Sequence, residues 1–442
     1  MASPIVAALS LLATLLLSEG EILPASSARV RWQGRALWAE NGSASFSWAG
    51  VQASMTVRNA TTVSVRLMSD FKDPTISMFR VFVDNGPGVK IHVRGAEWEE
   101  YMLVSGLSSS SAHNITLWYA TDPVSTDWEW SVTNQRITIE SFITDGGFES
   151  PPPVRQRRLE FIGDSSMAGD HIDTAAGVDH CRGDHSGSYS ALICGYFQAN
   201  CSTMALTGHS VYRNCCGDPS DQTMVNLSRR IIAGDGSAVF DDSQFVPDAT
   251  VLHLGTNDAR WIKDEVEEKD FVSTYVNFLR ELTVRHATSN LPIFCLIGPK
   301  PVPETDQLVR DAVDQYVSRF GSRNVHFVNL TGAELDGCHD HPGWKGHRQA
   351  FDMLIGTMSE VLGWNGTSSG VHQMLPIPEQ EPEPLNIAQR SNSRVWLIAV
   401  SVCAALLLLA VVSGTVVVCA RRQARCPKVA EVQEEPWPAV AP

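Results

Sequence analysis

The chain has 442 residues, too many for one average domain, and its 43% hydrophobic and 19% charged content is that of a globular protein, not a disordered one. Its formal net charge of −15 argues against nucleic acid as a partner, since phosphates are held by clustered Lys and Arg, and it fits a neutral substrate.

Taken in chain order, Ile5 to Leu17 is an uncharged apolar run shorter than a membrane span. Small residues follow at Ser18-Glu19-Gly20 and again at Ala25-Ser26-Ser27-Ala28. The pattern predicts a secretory signal peptide over residues 1–28 with two candidate cleavage sites. Residues 29–150 read as all-β. Ser43–Trp48, Thr62–Leu67 and Phe79–Asp84 alternate with period two, and Asn-Gly, Gly-Pro-Gly and Asp-Pro turns break the runs. Short strands at regular spacing predict a sandwich or jelly roll. Trp98, Trp118, Trp128 and Trp130 would bind sugar if exposed, but Trp in such a domain more often packs in the core or at an edge.

Pro151-Pro152-Pro153 marks the boundary to a second domain over 155–363. There strands at 157–163, 202–207, 249–254, 292–297 and 325–330 alternate with helical patterns, notably 265–286 and 344–362. This predicts an α/β domain, doubly wound around a mainly parallel sheet. Residues 364–394 carry scattered Pro and acids and read as a stalk. Residues 395–420 lack any charge and are long enough to span a bilayer. Arg421, Arg422, Arg425 and Lys428 follow and place residues 421–442 in the cytosol. The expectation is a single-pass type I membrane protein whose bulk is lumenal or extracellular. Sequons at Asn41, Asn59, Asn114, Asn200, Asn226, Asn329 and Asn365 agree with that side. So does the crowding of Cys181, Cys194, Cys201, Cys215 and Cys216, which predicts a disulfide-held region. Cys295, in an apolar strand, is the candidate for a buried free thiol.

The chemistry sits at strand ends. Gly163-Asp164-Ser165 ends the first strand of the second domain, and Ser165 can point out of the sheet as a nucleophile or cap the helix that follows. Leu206-Thr207-Gly208-His209 follows the second strand and offers a glycine N–H. Gly255-Thr256-Asn257-Asp258 follows the third and offers a side-chain amide. Together the N–H groups of Ser165 and Gly208 and the amide of Asn257 would form an oxyanion hole. Asp336-Gly337-Cys338-His339-Asp340-His341-Pro342 then supplies the base.

Ser165, Gly208, Asn257 and His341, in this order, resemble the signature of the SGNH (GDSL-like) hydrolase superfamily. With an all-β domain in front, the architecture resembles carbohydrate esterase family 2, jelly roll plus SGNH domain. The resemblance implies a flavodoxin-like sheet and an esterase that removes acetyl groups from polysaccharide, with no cofactor. One departure stands out. Most SGNH enzymes place a supporting Asp three residues before the catalytic His, and position 338 here is Cys. Asp336 stands three before His339 instead, so two registers compete; His341, followed by Pro342 and a helix, is preferred. Its support is then a backbone carbonyl, Asp336 or Asp340, and Asp336 joins Ser165 and His341 as a candidate catalytic residue. His339-x-His341 can chelate a metal, but no HExxH or paired Cys-x-x-Cys accompanies it and no metal is assigned. His171, His180 and His185 read as surface residues. The alternatives are a lipase or phospholipase of the same superfamily, an acetyl transferase, and an inactive membrane-anchored glycan receptor.

Overall fold

The structure is a computed structural model. It describes residues 20–368 apart from 72–76, 85, 124–131, 133, 173–182, 216–221 and 289. The expected stalk beyond 368, the apolar segment 395–420, His180, Trp128 and Trp130 lie outside the described residues. Among the described residues no helix is long and apolar enough to cross a membrane.

The first domain contains β1 (Glu21–Pro24), β2 (Arg31–Gln33), β3 (Leu37–Trp38), β4 (Ala44–Phe46), β5 (Gln52–Arg58), β6 (Thr62–Ser69), β7 (Met78–Val83), β8 (Val89–His92), β9 (Glu99–Ser105), β10 (Ala112–Tyr119), β11 (Ile137–Thr144) and β12 (Gly147–Glu149). They form two antiparallel six-stranded sheets. One runs β3-β4-β11-β6-β9, with β1 also on β11; the other runs β12-β5-β10-β7-β8, with β2 also on β5. Alternation has its usual consequence. Val63, Val65 and Leu67 of β6 and Ile115, Leu117 and Tyr119 of β10 turn inward and are buried. One expected boundary moves. Glu21–Pro24 pairs with Ser141–Thr144, and Leu23 and Ala25 are buried, so the folded domain starts before residue 29.

The second domain contains β13 (Arg158–Gly163), α1 (Ser165–Ala168), α2 (Tyr189–Phe197), β14 (Asn200–Ala205), α3 (Met224–Leu227), β15 (Ala249–His253), α4 (Glu265–Arg285), β16 (Ile293–Ile297), α5 (Pro303–Phe320), β17 (Val325–Asn329) and α6 (Trp344–Leu362). All five strands are parallel in the order β14-β13-β15-β16-β17. A parallel sheet is covered on both faces, which is why β13, β15 and β16 are almost continuously buried. Ile162, Leu252 and Cys295 pack in one cluster with Phe271, Leu279 and Val309 of α4 and α5. Phe161, Val251 and Phe294 pack in another with Leu192 of α2 and Phe351 and Leu354 of α6. The chain order reverses direction at β13, and in such sheets ligands bind outside the carboxyl ends of the strands on either side of that point.

The two domains share a polar seam. Glu160, in the middle of β13, is buried against Arg35 of the first domain at 3.5 Å and His286 of α4 at 2.9 Å. Arg35 also donates to the carbonyls of Ser228 and Arg230. Arg80 of β7 lies 2.6 Å from buried Asp184, and His185 packs beside Trp118. His185 is therefore interior, not a surface residue: it is 2% exposed, and burial lowers its pKa to about 3. Trp118 is buried in this seam, while Trp98 is half-buried beneath Arg66. Cys194 and Cys201 are joined, Cys215 and Cys338 each take part in a disulfide, and Cys295 is a buried free thiol.

Candidate active site

Ser165 is placed by the end of β13. The Asp164 carboxylate accepts the N–H of Ser166 at 3.0 Å and caps α1, so the Ser165 hydroxyl is not spent as a helix cap. Gly163 lets α1 fold back on its strand, since a Cβ there would meet Met167 at 2.7 Å. The freed hydroxyl faces His341, whose Nε2 lies 2.8 Å from Ser165 Oγ.

Of the two competing histidines it is thus His341 that meets the serine, and its other ring nitrogen faces a carbonyl. His341 Nδ1 lies 3.0 Å from the His339 carbonyl oxygen. A carbonyl only accepts, so Nδ1 carries the proton and Nε2 presents its lone pair to the serine. His339 and Asp340 reach the required turn with φ of 51° and 59°. Burial holds the His341 imidazole below its ordinary pKa of 6.5; His171 pushes the same way, and the carboxylates of Asp170 and Asp164 push against it.

Asp336 is not the orienting carboxylate. Its two oxygens accept the N–H groups of Gly343 at 2.8 Å, Gly346 at 2.9 Å and Lys345 at 3.1 Å. It caps the N-terminus of α6, where the helix leaves donors unpaired. Gly346 allows the approach, because a Cβ there would overlap the Glu334 carbonyl oxygen. Asp340 is exposed and pairs with Lys300 at 3.1 Å.

The expected oxyanion donors lie at three adjacent strand ends: Ser165 after β13, Gly208 after β14 on one side, Asn257 after β15 on the other. Gly208 has φ of 77°, a conformation that favours glycine. Asn257 donates one N–H to the His209 carbonyl at 3.0 Å, leaving the second N–H of the same amide for a ligand. Buried Asp258 accepts the N–H groups of Tyr212 at 2.9 Å and Arg213 at 2.7 Å, along with the Ser210 hydroxyl. It thereby ties the Gly208 and Asn257 loops together. Burial pushes its carboxyl up to about 7.

Sequence reasoning missed a second group of polar residues. The His171 ring stacks on His341 at 4.7 Å and meets His339 edge-on at 5.0 Å, so it belongs to the site and not to the surface. Its Nδ1 lies 2.7 Å from Asp170. Burial pushes the His171 pKa down, but Asp170 and Asp122 outweigh it and the net direction is up. Asp170 accepts the Thr207 hydroxyl at 2.8 Å, and Asp122 of the first domain accepts the Thr207 N–H at 2.9 Å. Only the position of Thr207, next to Gly208, was a signal in the sequence. Asp170, His171 and His341 bring ligand atoms within 4.8 Å of one another, the spacing of a metal site. Yet the two imidazoles are stacked with 25° between their planes. Their lone pairs lie in nearly parallel ring planes and do not converge on one point, so the geometry disfavours a shared ion.

Comparison with known proteins agrees with this architecture. Residues 32–131 match the family model for the carbohydrate esterase 2 N-terminal domain. A family two carbohydrate esterase from Cellvibrio japonicus superposes with a TM-score of 0.69 at 20% identity, covering 78% of this chain and 99% of that one. The fold is that of the family two carbohydrate esterases. The acetylxylan esterase / glucomannan deacetylase of Cellvibrio japonicus is 23% identical over 358 residues, 79% of this chain and 93% of that protein. The cellulase/esterase CelE of Acetivibrio thermocellus is 26% identical over 350 residues, 76% of this chain but 40% of its own length. The chain therefore spans less than half of CelE and nearly all of the Cellvibrio enzyme.

Proposed function

We propose that the protein is a serine esterase that removes acetyl groups from polysaccharide through an acetyl-serine intermediate. The observation that carries this is the 2.8 Å contact of His341 Nε2 with Ser165 Oγ, flanked by donors at the neighbouring strand ends. Ser165 Oγ attacks the acetyl carbon while its proton moves to His341 Nε2. The N–H groups of Ser165, Gly208 and Asn257 hold the oxyanion. The tetrahedral adduct collapses, its bond to the sugar oxygen breaks, and His341 returns the proton to that oxygen. Water, deprotonated by His341, then attacks the acetyl-enzyme; acetate leaves and Ser165 recovers its proton. The dyad lacks a carboxylate on Nδ1, and the His339 carbonyl holds the tautomer instead. The likeness to the acetylxylan esterase / glucomannan deacetylase supports an acetylated polysaccharide as substrate. Acetate release from acetylated xylan and glucomannan, set against release of a long acyl chain from a lipid ester, tests the reading. Preference for the long chain would favour the lipase alternative.

The membrane placement is proposed from sequence alone: a cleaved signal, and a type I anchor at 395–420 followed by Arg421 and Arg422. In support, six of the seven sequon asparagines are exposed, and Asn200 is half-buried beside the Cys194–Cys201 bridge. Glycosidase treatment should shift the mobility of cell-expressed protein; no shift would count against a lumenal catalytic domain.

A further inference from the structure

The proposed oxyanion hole depends on the direction of one peptide N–H, that of Gly208. In a trans peptide this N–H points opposite to the carbonyl of Thr207, so whatever fixes Thr207 fixes the donor. Thr207 is 5% exposed and held on every polar atom. Its carbonyl accepts from His209 Nδ1 at 2.9 Å, and its hydroxyl donates to Asp170 at 2.8 Å. Its own N–H, the group nearest β14, donates to Asp122 Oδ2 at 2.9 Å. Asp122 belongs to the other domain: it lies just beyond the end of β10, the middle strand of its sheet. The sandwich is fixed there a second time, since the His185 N–H donates to the Ala120 carbonyl at 2.7 Å.

We infer that Asp122, carried by the sandwich, is a positioning residue of the hydrolase, which sets the Thr207–Gly208 peptide so that the Gly208 N–H faces the developing oxyanion. This role rests on the esterase reading, because it takes Gly208 as an oxyanion donor. It gives the first domain a part in the chemistry besides any part in holding polysaccharide. The arrangement also links the hole to the base. Thr207 bridges Asp122 and Asp170, Asp170 lies 2.7 Å from His171 Nδ1, and the His171 ring stacks on His341. Burial and the neighbouring Asp170 carboxylate both push the Asp122 carboxyl up, so the two acids need not hold two full charges side by side.

The test uses the full chain with Asp122→Ala and Asp122→Asn. Two rates are read: acetate release from acetylated xylan, and phosphonylation of Ser165 by a small alkyl fluorophosphonate. In the second, the Ser165 Oγ–P bond forms, fluoride leaves, and the phosphoryl oxygen occupies the hole. Asp122→Ala should lower kcat and the phosphonylation rate by about 10- to 100-fold, the scale of an angstrom-sized misplacement or a weakened oxyanion donor. KM should stay within about twofold. Asp122→Asn keeps an oxygen that accepts the Thr207 N–H and should recover most of both rates, which a generally loosened domain seam would not do. Should Asp122→Ala fail to fold, Asp122→Glu, which displaces the acceptor by one methylene, carries the same expectation. Wild-type rates in a folded Asp122→Ala, or equal losses in Ala and Asn, would overturn the inference. The phosphonate arm separates it from the substrate reading. If the wild type is phosphonylated at Ser165 but releases no acetate, the substrate is wrong and the Asp122 comparison still decides the inference. If Ser165 is not phosphonylated at all, both fall.

Discussion

Replacing Asp336 separates two roles that a carboxylate near a catalytic histidine can have. In the structure Asp336 touches no part of the His341 ring and accepts three N–H groups at the start of α6, two of them partly buried (Gly343 and Gly346) and one exposed (Lys345). Asp336→Ala leaves these donors to water or unpaired. At about 1–2 kcal/mol for each partly buried donor, plus a few tenths for the lost charge at the helix terminus, the loss is on the order of 2–4 kcal/mol of stability. Asp336→Asn keeps Oδ1, which serves both Gly343 and Gly346, and should lose only about 1 kcal/mol. Catalysis should suffer far less than in a triad, where loss of the carboxylate function costs about 10⁴ in kcat. Assayed where the variant is folded, Asp336→Ala should keep kcat within about tenfold of wild type. Urea unfolding gives the first number and acetate release the second. A fall of about 10⁴ in kcat with unchanged unfolding would refute the reasoning and make Asp336 a member of a triad.

Other perturbations discriminate further. His341→Ala should cost several orders of magnitude in kcat, because nucleophile and base act as a unit, whereas His339→Ala keeps the carbonyl and should retain substantial activity; the reverse order would shift the register by two residues. His341 works neutral and burial lowers its pKa, so the acid limb of the kcat/KM profile should lie below pH 6.5. His171→Phe keeps a stacked ring but removes a neighbouring positive charge while Asp164 and Asp170 remain, so the limb should move to higher pH; a static or falling limb would contradict this account. Arg35→Ala leaves the Glu160 carboxylate buried without its cationic partner from the first domain and should lower unfolding stability by about 3–5 kcal/mol; a loss under about 1 kcal/mol would show that the seam is not sensitive to this pair.

Much of this was legible in the chain because local rules and tertiary needs agree. The parallel strands read as short apolar runs since both faces of the sheet are covered, and each of the five lies within two residues of its expected span. Ser165, Gly208, Asn257 and His341 were legible because each follows a strand or precedes a helix in a short, recognisable run. Asp336 misled because Asp-x-x-His spacing has two readings, and only the fold shows the carboxylate turned to the helix terminus. His171 and His185 looked like loop residues because nothing local announces burial. One is enclosed by His341 and His339, the other by Trp118 at the domain seam. Asp122 and Asp170 had no signal at all, since their meeting at Thr207 joins segments far apart in sequence, across two domains.

The central claim is that Ser165 carries the acetyl group between sugar and water. Acid quenching during turnover of acetylated glucomannan, followed by mass spectrometry of the peptide that contains Ser165, measures this directly. The account predicts one acetyl group on Ser165 in wild type and none in Ser165→Ala, which should release no acetate. Acetate release by Ser165→Ala, or an acetyl group on another residue, would contradict it.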